Sequence, residues 1–134
     1  MPRACICSTC SCKNPDRRDT NPNCLVVGRE LVAIDFETCF SFLYPIVGPS
    51  GHAWEVSRHG LASNHLFYRE LLGADVQWTP LVQSMLLDIH QMLTTLTSWM
   101  PMGWKRWIPD LQRHFESLSK HENELVFEVV RSLS

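Results

Sequence analysis

The first 24 residues contain five cysteines and almost no other apolar side chains, which limits how this segment can fold. The cysteines follow the pattern Cys5-x-Cys7-x2-Cys10-x-Cys12, and Cys24 comes twelve residues later. A segment with so little apolar surface cannot offset the conformational entropy that it loses on folding. We therefore predict that it is looped and that a metal ion or a covalent link is needed to hold it.

The spacing of these cysteines favours metal binding. Cys-x-Cys and Cys-x2-Cys pairs can place two thiolates on one ion, at about 2.3 Å for zinc, with little backbone strain. We predict that zinc is the cofactor. The preferred ligands are Cys10, Cys12 and Cys24, with Cys5 and Cys7 as substitutes. The alternatives are a cysteine-rich tail without metal and, if the chain is exported, a disulfide framework.

A structural zinc site needs four ligands, so a further ligand is expected from the rest of the chain. Three histidines are candidates for it, namely His52, His59 and His65. Cys39 lies in an apolar run instead, and we predict that it is a buried thiol of the core.

The length and charge of the chain narrow the class of protein. Its 134 residues suit one globular domain, at 25–134, preceded by the Cys-rich segment 1–24. The net charge of −2 with scattered basic residues disfavours nucleic acid as a partner, without excluding it. No apolar run is long enough to span a membrane, and the first residues lack the apolar core of a signal peptide. We expect an intracellular protein, either nuclear or cytoplasmic.

The pattern of apolar residues predicts strands first and helices later. Two β-branched runs, 25–27 and 31–36, are separated by Gly28, and a weaker alternation covers 40–44. The later residues recur with helical spacing. The predicted helices run from Ser63 to Gly73, from Thr79 and Pro80 to Pro101, and from Asp110 to Leu133 with a polar break at 120–124. The prediction is an α+β fold with a Cys-rich N-terminal segment, a small antiparallel sheet and a helical C-terminal half.

One short motif suggests nucleic-acid chemistry. The apolar run 31–36 leads into Asp35-x-Glu37, which resembles the first motif of the DEDD 3′–5′ exonucleases. In that family such carboxylates hold two divalent metal ions for phosphodiester hydrolysis. Asn64-x2-Phe67-Tyr68 is similar to the second motif, with Tyr68 where the family has aspartate. The alternative function is therefore a degenerate exonuclease-like domain.

Another resemblance covers more of the chain. The residues that carry it are Cys10-Ser11-Cys12-Lys13-Asn14-Pro15, Cys24 with Gly28, and Asn64 followed by Phe67-Tyr68-Arg69-Glu70. This pattern is similar to that of the adenovirus early-region-4 34 kDa family. Its members are nuclear adaptors that bring target proteins to a cellular cullin–elongin ubiquitin ligase. The resemblance implies metal-ligand roles for Cys10, Cys12 and Cys24, and a viral accessory protein that engages host proteins.

The predicted partner surface is either the aromatic stretch Trp99–Trp107, which combines tryptophans with Lys105 and Arg106, or the apolar flank of the last helix. The alternative is that these tryptophans cover the core between two helices. No nucleophile has a base partner that the sequence identifies, and there is no Gly-rich phosphate loop. The leading function is a non-enzymatic zinc-binding adaptor protein whose partners are other proteins. The predicted partner-binding residues are Trp99, Trp104, Trp107, Tyr68 and Arg69.

Overall fold

The computed structural model describes residues 2–43 and 51–134. Its helices are α1 (Pro2–Ser11), α2 (Tyr68–Leu71), α3 (Trp78–Trp99), α4 (Ile108–Lys120) and α5 (Glu122–Ser132). The strands are β1 (Cys24–Val27) and β2 (Glu30–Ala33), and short 3-10 segments cover Ser41–Leu43, Ser57–His59 and Met102–Trp107. The predicted α+β class, with a small antiparallel sheet and a helical C-terminal half, is confirmed.

The sheet is a two-stranded hairpin. β1 and β2 pair antiparallel, with Cys24 opposite Ala33 and Val27 opposite Glu30. Gly28 has a φ of +63°, as the first central residue of a two-residue hairpin turn requires. The third strand predicted at 40–44 is wrong where the structure describes it, since Ser41–Leu43 forms a 3-10 turn. The remainder of that prediction, from residue 44 onward, lies outside the described residues.

Helix α1 corrects the prediction of a looped N-terminal segment. Ile6, Cys7 and Cys10 are almost completely buried in the main core cluster. They lie on one face of the helix, so cysteine acts here as a small apolar residue. The prediction was wrong because it treated these cysteines as metal ligands and not as apolar residues of a helix. The chain from residue 12 to 23 is looped, as expected.

Helix α3 is the centre of the fold, and α1, α4 and α5 all pack against it. Its buried side chains include Val82, Leu86 and Ile89, which recur at helical spacing. The helix begins at Trp78, slightly before the predicted Thr79 cap. Pro80 is consequently its third residue, still in the first turn, where no intrahelical partner for an N–H is lost. The predicted end before Pro101 is confirmed.

The helix predicted over 64–72 is mostly wrong, because only α2 is helical and the residues before it form turns. His65 is buried there, and its ring Nδ1 accepts a hydrogen bond from the Phe67 N–H at 3.1 Å. This bond holds the backbone in a turn instead of a helix. The helix end near Gly73 is confirmed, since Gly73 has a φ of +67° and donates its N–H to the Leu133 carbonyl at 2.8 Å.

Gly73→Ala is expected to lower the free energy of unfolding by about 1 kcal/mol. A Cβ at this position meets no atom within 4 Å, so the cost comes from the left-handed backbone and not from a clash. Gly103→Ala is the matched control, because its Cβ also meets open space and its φ is not in the left-handed region. Urea unfolding of both variants measures the difference. Equal stabilities would contradict the backbone argument.

The predicted polar break in the last helix is confirmed, since α4 ends at Lys120 and α5 begins at Glu122. Helix α5 is then anchored by a polar contact that the sequence does not indicate. Glu128 is nearly buried, accepts a hydrogen bond from the Ser57 hydroxyl and pairs with Arg131 at 2.7 Å. The contact holds α5 against the Ser57–His59 segment.

Candidate functional site

Within the described residues, the five predicted metal ligands do not form one group that could hold a metal ion, although Cys10 interacts electrostatically with both Cys7 and Cys12. Cys7 and Cys10 face the apolar core from α1. Cys5, near the start of α1, interacts electrostatically with Cys24 at the start of β1. Cys12 is half-buried and interacts electrostatically with the Cys39 thiol. The preferred set of Cys10, Cys12 and Cys24 is therefore not assembled at one point.

Burial keeps most of these thiols protonated at neutral pH. It raises the pKa of Cys5 to about 11 and the pKa values of Cys7 and Cys12 to about 12. Burial also raises the pKa of the completely buried Cys10. Because the thiolate is both the nucleophile and the metal ligand, thiols in this state are poor nucleophiles. Metal binding would require that protons leave them.

His65 is the candidate fourth ligand that the structure places beside a predicted cysteine. Its Nε2 is 3.8 Å from the Cys5 Sγ and 3.1 Å from the Thr9 hydroxyl. Its Nδ1 already accepts the Phe67 N–H, which places the ring proton on Nε2. A metal on Nε2 needs the opposite tautomer, whose Nδ1–H would oppose the Phe67 N–H. In this arrangement His65 has no free lone pair and acts as a buried structural histidine.

No group of three or more His, Cys, Asp or Glu side chains within residues 2–43 and 51–134 is placed to hold a metal ion. His52 stacks on Trp54, with ring centroids 4.4 Å apart. The side chain of His59 lies outside the described residues. Zinc binding therefore stays a prediction, and it would require the side chains to rearrange.

Arg17 is a buried cation at the centre of the cysteine segment. Only 2% of its surface is exposed, and its guanidinium donates to the Thr9 hydroxyl at 3.2 Å and to the Ile34 carbonyl at 3.4 Å. It also interacts electrostatically with the Cys5 thiol, and its guanidinium carbon lies 5.3 Å from the Phe36 ring centroid. Its Nε has no hydrogen-bond partner in the described structure. Among the residues that the structure describes, no carboxylate forms an ion pair with Arg17.

A guanidinium cannot lose its proton in a protein, so its burial among neutral acceptors is costly. Arg17 acts electrostatically on Cys5, Cys12, Cys39 and His65. The segment thus concentrates positive potential at a point surrounded by thiols. Any negative charge that forms on these thiols would be stabilised by Arg17.

The carboxylates of the exonuclease-like motif lie at the surface, after β2. Asp35 is exposed and has a φ of +52°, and its side chain accepts the Glu37 N–H at 3.4 Å. This is the local hydrogen bond of an Asx turn. Asp35 therefore has a structural role in this turn, and the nuclease alternative stays an untested prediction.

A large apolar groove opens on the surface of the described structure. Its volume is about 750 Å³, within the range of ligand-binding clefts. It forms where α1, α3 and α4 meet the segments around residues 36–43 and 100–107. Its lining is Ser8, Cys12, Phe36, Glu37, Cys39, Phe40, Leu43, Ile89, Met92, Met100, Trp104, Trp107 and Leu111.

Two of the five predicted partner-binding residues, Trp104 and Trp107, line this groove. Trp104 is 65% exposed, so it forms part of the open rim. Trp99 is 81% exposed just before the groove-lining Met100. Tyr68 packs against the core cluster instead, and Arg69 is exposed on α2; neither lines the groove.

Sequence reasoning missed Phe36, Phe40 and Met92 as parts of one surface. Their separation along the chain gives no local signal, because only the packing of α1 and α4 on α3 brings them together. For Phe36 and Phe40 the sequence therefore offered no hint that they belong to this surface.

Comparisons of the chain with protein-family models, with curated proteins and with solved structures find no match. Among the described helices, none is long and apolar enough to cross a membrane.

Proposed function

We propose that this chain is a non-enzymatic protein-interaction module that binds its partner in the apolar groove. The observation that supports the proposal is the groove itself, about 750 Å³ of mostly apolar lining left open beside exposed tryptophans. Large exposed apolar surfaces on folded domains mark interaction sites. Tryptophan is also the residue type most enriched among those that dominate binding energy.

The adaptor role and the viral accessory role come from the family resemblance and remain proposals. A nuclear or cytoplasmic location belongs to the same proposal, because reducing compartments keep cysteines as thiols. All six cysteines are free thiols in this fold, which is compatible with such a location.

Trp104→Ala is expected to weaken binding of a neutral amphipathic helical peptide by about tenfold or more, as removal of an aromatic anchor does. The probe is a peptide of about 16 residues with leucines at helical spacing and glutamines elsewhere. Binding is followed by calorimetry, and circular dichroism checks that the variant is folded.

Phe127→Ala is the matched control for this experiment. Phe127 is 64% exposed, like Trp104, but lies on α5 and does not line the groove. Its removal should leave the affinity unchanged. The proposal fails if the wild-type protein binds no apolar helical probe, or if both variants weaken binding equally.

Zinc binding is a second part of the proposal, and Arg17 is the observation that favours it. A tetrahedral zinc ion with three thiolates and one neutral ligand carries a net charge of −1, which would balance the buried guanidinium. Second-shell donors to zinc ligands are a regular feature of such sites. Cys5, which interacts electrostatically with both Arg17 and Cys24, is the natural first ligand.

Protein purified under reducing conditions is expected to hold about one zinc ion per chain. Cys10→Ser cannot test this cleanly, because Cys10 is fully buried and a hydroxyl there would destabilise the core with or without metal. Cys5→Ser and Cys24→Ser are better variants, since both positions are half-buried. Elemental analysis should find their zinc content reduced. A wild-type protein without zinc would remove zinc from the proposal.

A further inference from the structure

Two cations belong to the chain segment that carries the groove-lining tryptophans, and no carboxylate of the described residues pairs with them. Lys105 and Arg106 lie between Trp104 and Trp107, which both line the groove. Within the described ranges, neither cation is in any of the ion pairs. The next basic residue along the chain, Arg113, is instead neutralised by its own helix.

The position of Arg106 leaves its donors available. Its guanidinium carbon lies 4.8 Å from the centroid of the Trp107 ring, a cation–π contact that uses no N–H. Arginine has five N–H donors whose geometry fits a carboxylate. By comparison, the Arg113 guanidinium is 3.0 Å from the Asp110 carboxylate. The segment that carries the rim tryptophan Trp104 therefore also carries two cations that form no ion pair among the described residues, and we call them the rim cations.

The apolar surface extends beyond the cavity. Trp99 is 81% exposed and Met102 is 82% exposed, and each adjoins a stretch of chain that lines the groove. A small molecule enclosed in the cavity would leave these side chains in water. An elongated partner can cover them as well. Met92 and Met100 add flexible apolar side chains to the lining, which adapt to the surface of a partner helix.

The geometry points to an amphipathic helix of a partner protein, with acidic residues beside its apolar face, as the occupant of the groove. This inference rests on the proposed interaction function and adds the chemistry of the partner. The apolar residues of such a helix recur at i, i+3 or i+4, and i+7, and enter the groove. Its Asp and Glu side chains reach Lys105 and Arg106.

The charges near the groove favour an acidic helix over a basic helix or a nucleic acid. The one ionisable acidic side chain in the lining is Glu37, and the two rim cations outnumber it. A basic helix would meet Lys105 and Arg106 with like charge, which opposes binding. Nucleic acid needs many phosphate contacts, and the whole chain carries a net charge of −2.

The test uses the full chain and three helical peptides of about 16 residues with the same leucine positions. Their polar faces carry glutamate, glutamine or lysine, respectively. The acidic peptide is expected to bind about tenfold more tightly than the lysine peptide, with the glutamine peptide between them. Its advantage should shrink between about 50 and 300 mM salt, because rim ion pairs are screened.

Charge reversal at the rim should reverse this order. Lys105→Glu with Arg106→Glu is expected to favour the lysine peptide. Lys120→Glu with Arg69→Glu changes the net charge equally but at positions that do not adjoin the groove lining, and should keep the original order. Trp104→Ala should weaken all three peptides together, since it removes the apolar anchor that they share.

The outcomes separate the two levels of the proposal. If all three peptides bind with equal affinity, the groove function stands and the acidic partner is wrong. If no peptide binds, both fail. If no peptide binds, two further measurements identify a different occupant of the groove. One is Trp104-dependent binding to phosphatidylcholine vesicles with about 30% phosphatidylserine. The other is concentration-dependent dimerisation that Trp104→Ala abolishes.

Discussion

Ile6→Ala is expected to lower the free energy of unfolding by about 2–5 kcal/mol, a large part of the total for a domain of this size. Ile6 is completely buried on α1, in contact with the cluster formed by α3 and α5. Truncating it removes apolar contacts and leaves a cavity that the surrounding helices fill only in part. Urea unfolding gives the difference directly.

This variant distinguishes two accounts of the N-terminal segment. If α1 is part of the core, the loss is the same with and without a metal chelator. If the segment is a loop held by zinc, Ile6→Ala costs little and the chelator causes the loss instead. Leu87→Ala is the matched control, because Leu87 is an aliphatic helix residue that is 60% exposed. Its effect should stay within about 0.5 kcal/mol.

The parts of the fold that follow from local sequence were predictable. The hairpin follows from two β-branched runs around Gly28, and α3 follows from apolar residues at helical spacing before Pro101. The polar residues 120–124 correctly indicated the break between α4 and α5. In each case the signal lies within a few residues of the feature that it predicts.

The errors share a physical cause, which is that tertiary contacts overrode local preference. Helix α1 depends on an apolar face made of Ile6, Cys7 and Cys10, which is stable only against α3. The segment 41–43 forms a 3-10 turn where aromatic packing holds the chain, with the Phe40 and Phe115 ring centroids 5.9 Å apart. Neither contact can be predicted from residues that are neighbours in the sequence.

The candidate site was only partly predictable for the same reason. Trp104 and Trp107 could be proposed because their mixed aromatic and basic pattern is local. The opposite wall of the groove, including Phe36 and Phe40, comes from distant segments. Arg17 gave no sequence signal, because the same residue type is usually solvated.

The stability of the protein is expected to fall steeply as the pH is lowered from about 6.5 to about 4, because two buried histidines stay neutral in the folded state. Burial lowers the pKa of His65 to about 4, with the positive charge of Arg17 as a second cause. Burial also lowers the pKa of His114 to about 4, although the hydrogen bond of its Nε2 with the Ser11 carbonyl, at 2.7 Å, partly opposes this.

Stability falls with decreasing pH because the unfolded chain binds more protons than the folded chain. Between pH 6.5 and 4, the unfolded chain binds protons on these imidazoles and the folded chain does not, so acid favours unfolding. At 1.36 kcal/mol per pH unit, each histidine accounts for a loss of about 3 kcal/mol across this window. Both side chains are less than 10% exposed, so solvent screening reduces the effect little.

Urea unfolding at pH 7, 6, 5 and 4 measures this loss. His65→Gln and His114→Gln should each reduce the slope by about half, and the double variant should remove most of it. His90→Gln, on the exposed face of α3, is the control and should keep the wild-type slope. Stability that is flat across the window would contradict the buried neutral state of both rings.

The charge of Arg17 affects the pKa of His65 and not that of His114, so an Arg17 variant distinguishes the two histidines. A proton on His65 would place an imidazolium beside a guanidinium that no described carboxylate neutralises, so repulsion adds to the cost of burial. Arg17→Met keeps the length of the side chain and removes this charge. It should raise the pKa of His65 towards its ordinary value and leave that of His114 in place, since Lys13 is the cation near His114. Imidazole proton titration by NMR reads the two rings separately, and equal shifts would show that Arg17 acts through the fold and not through its charge.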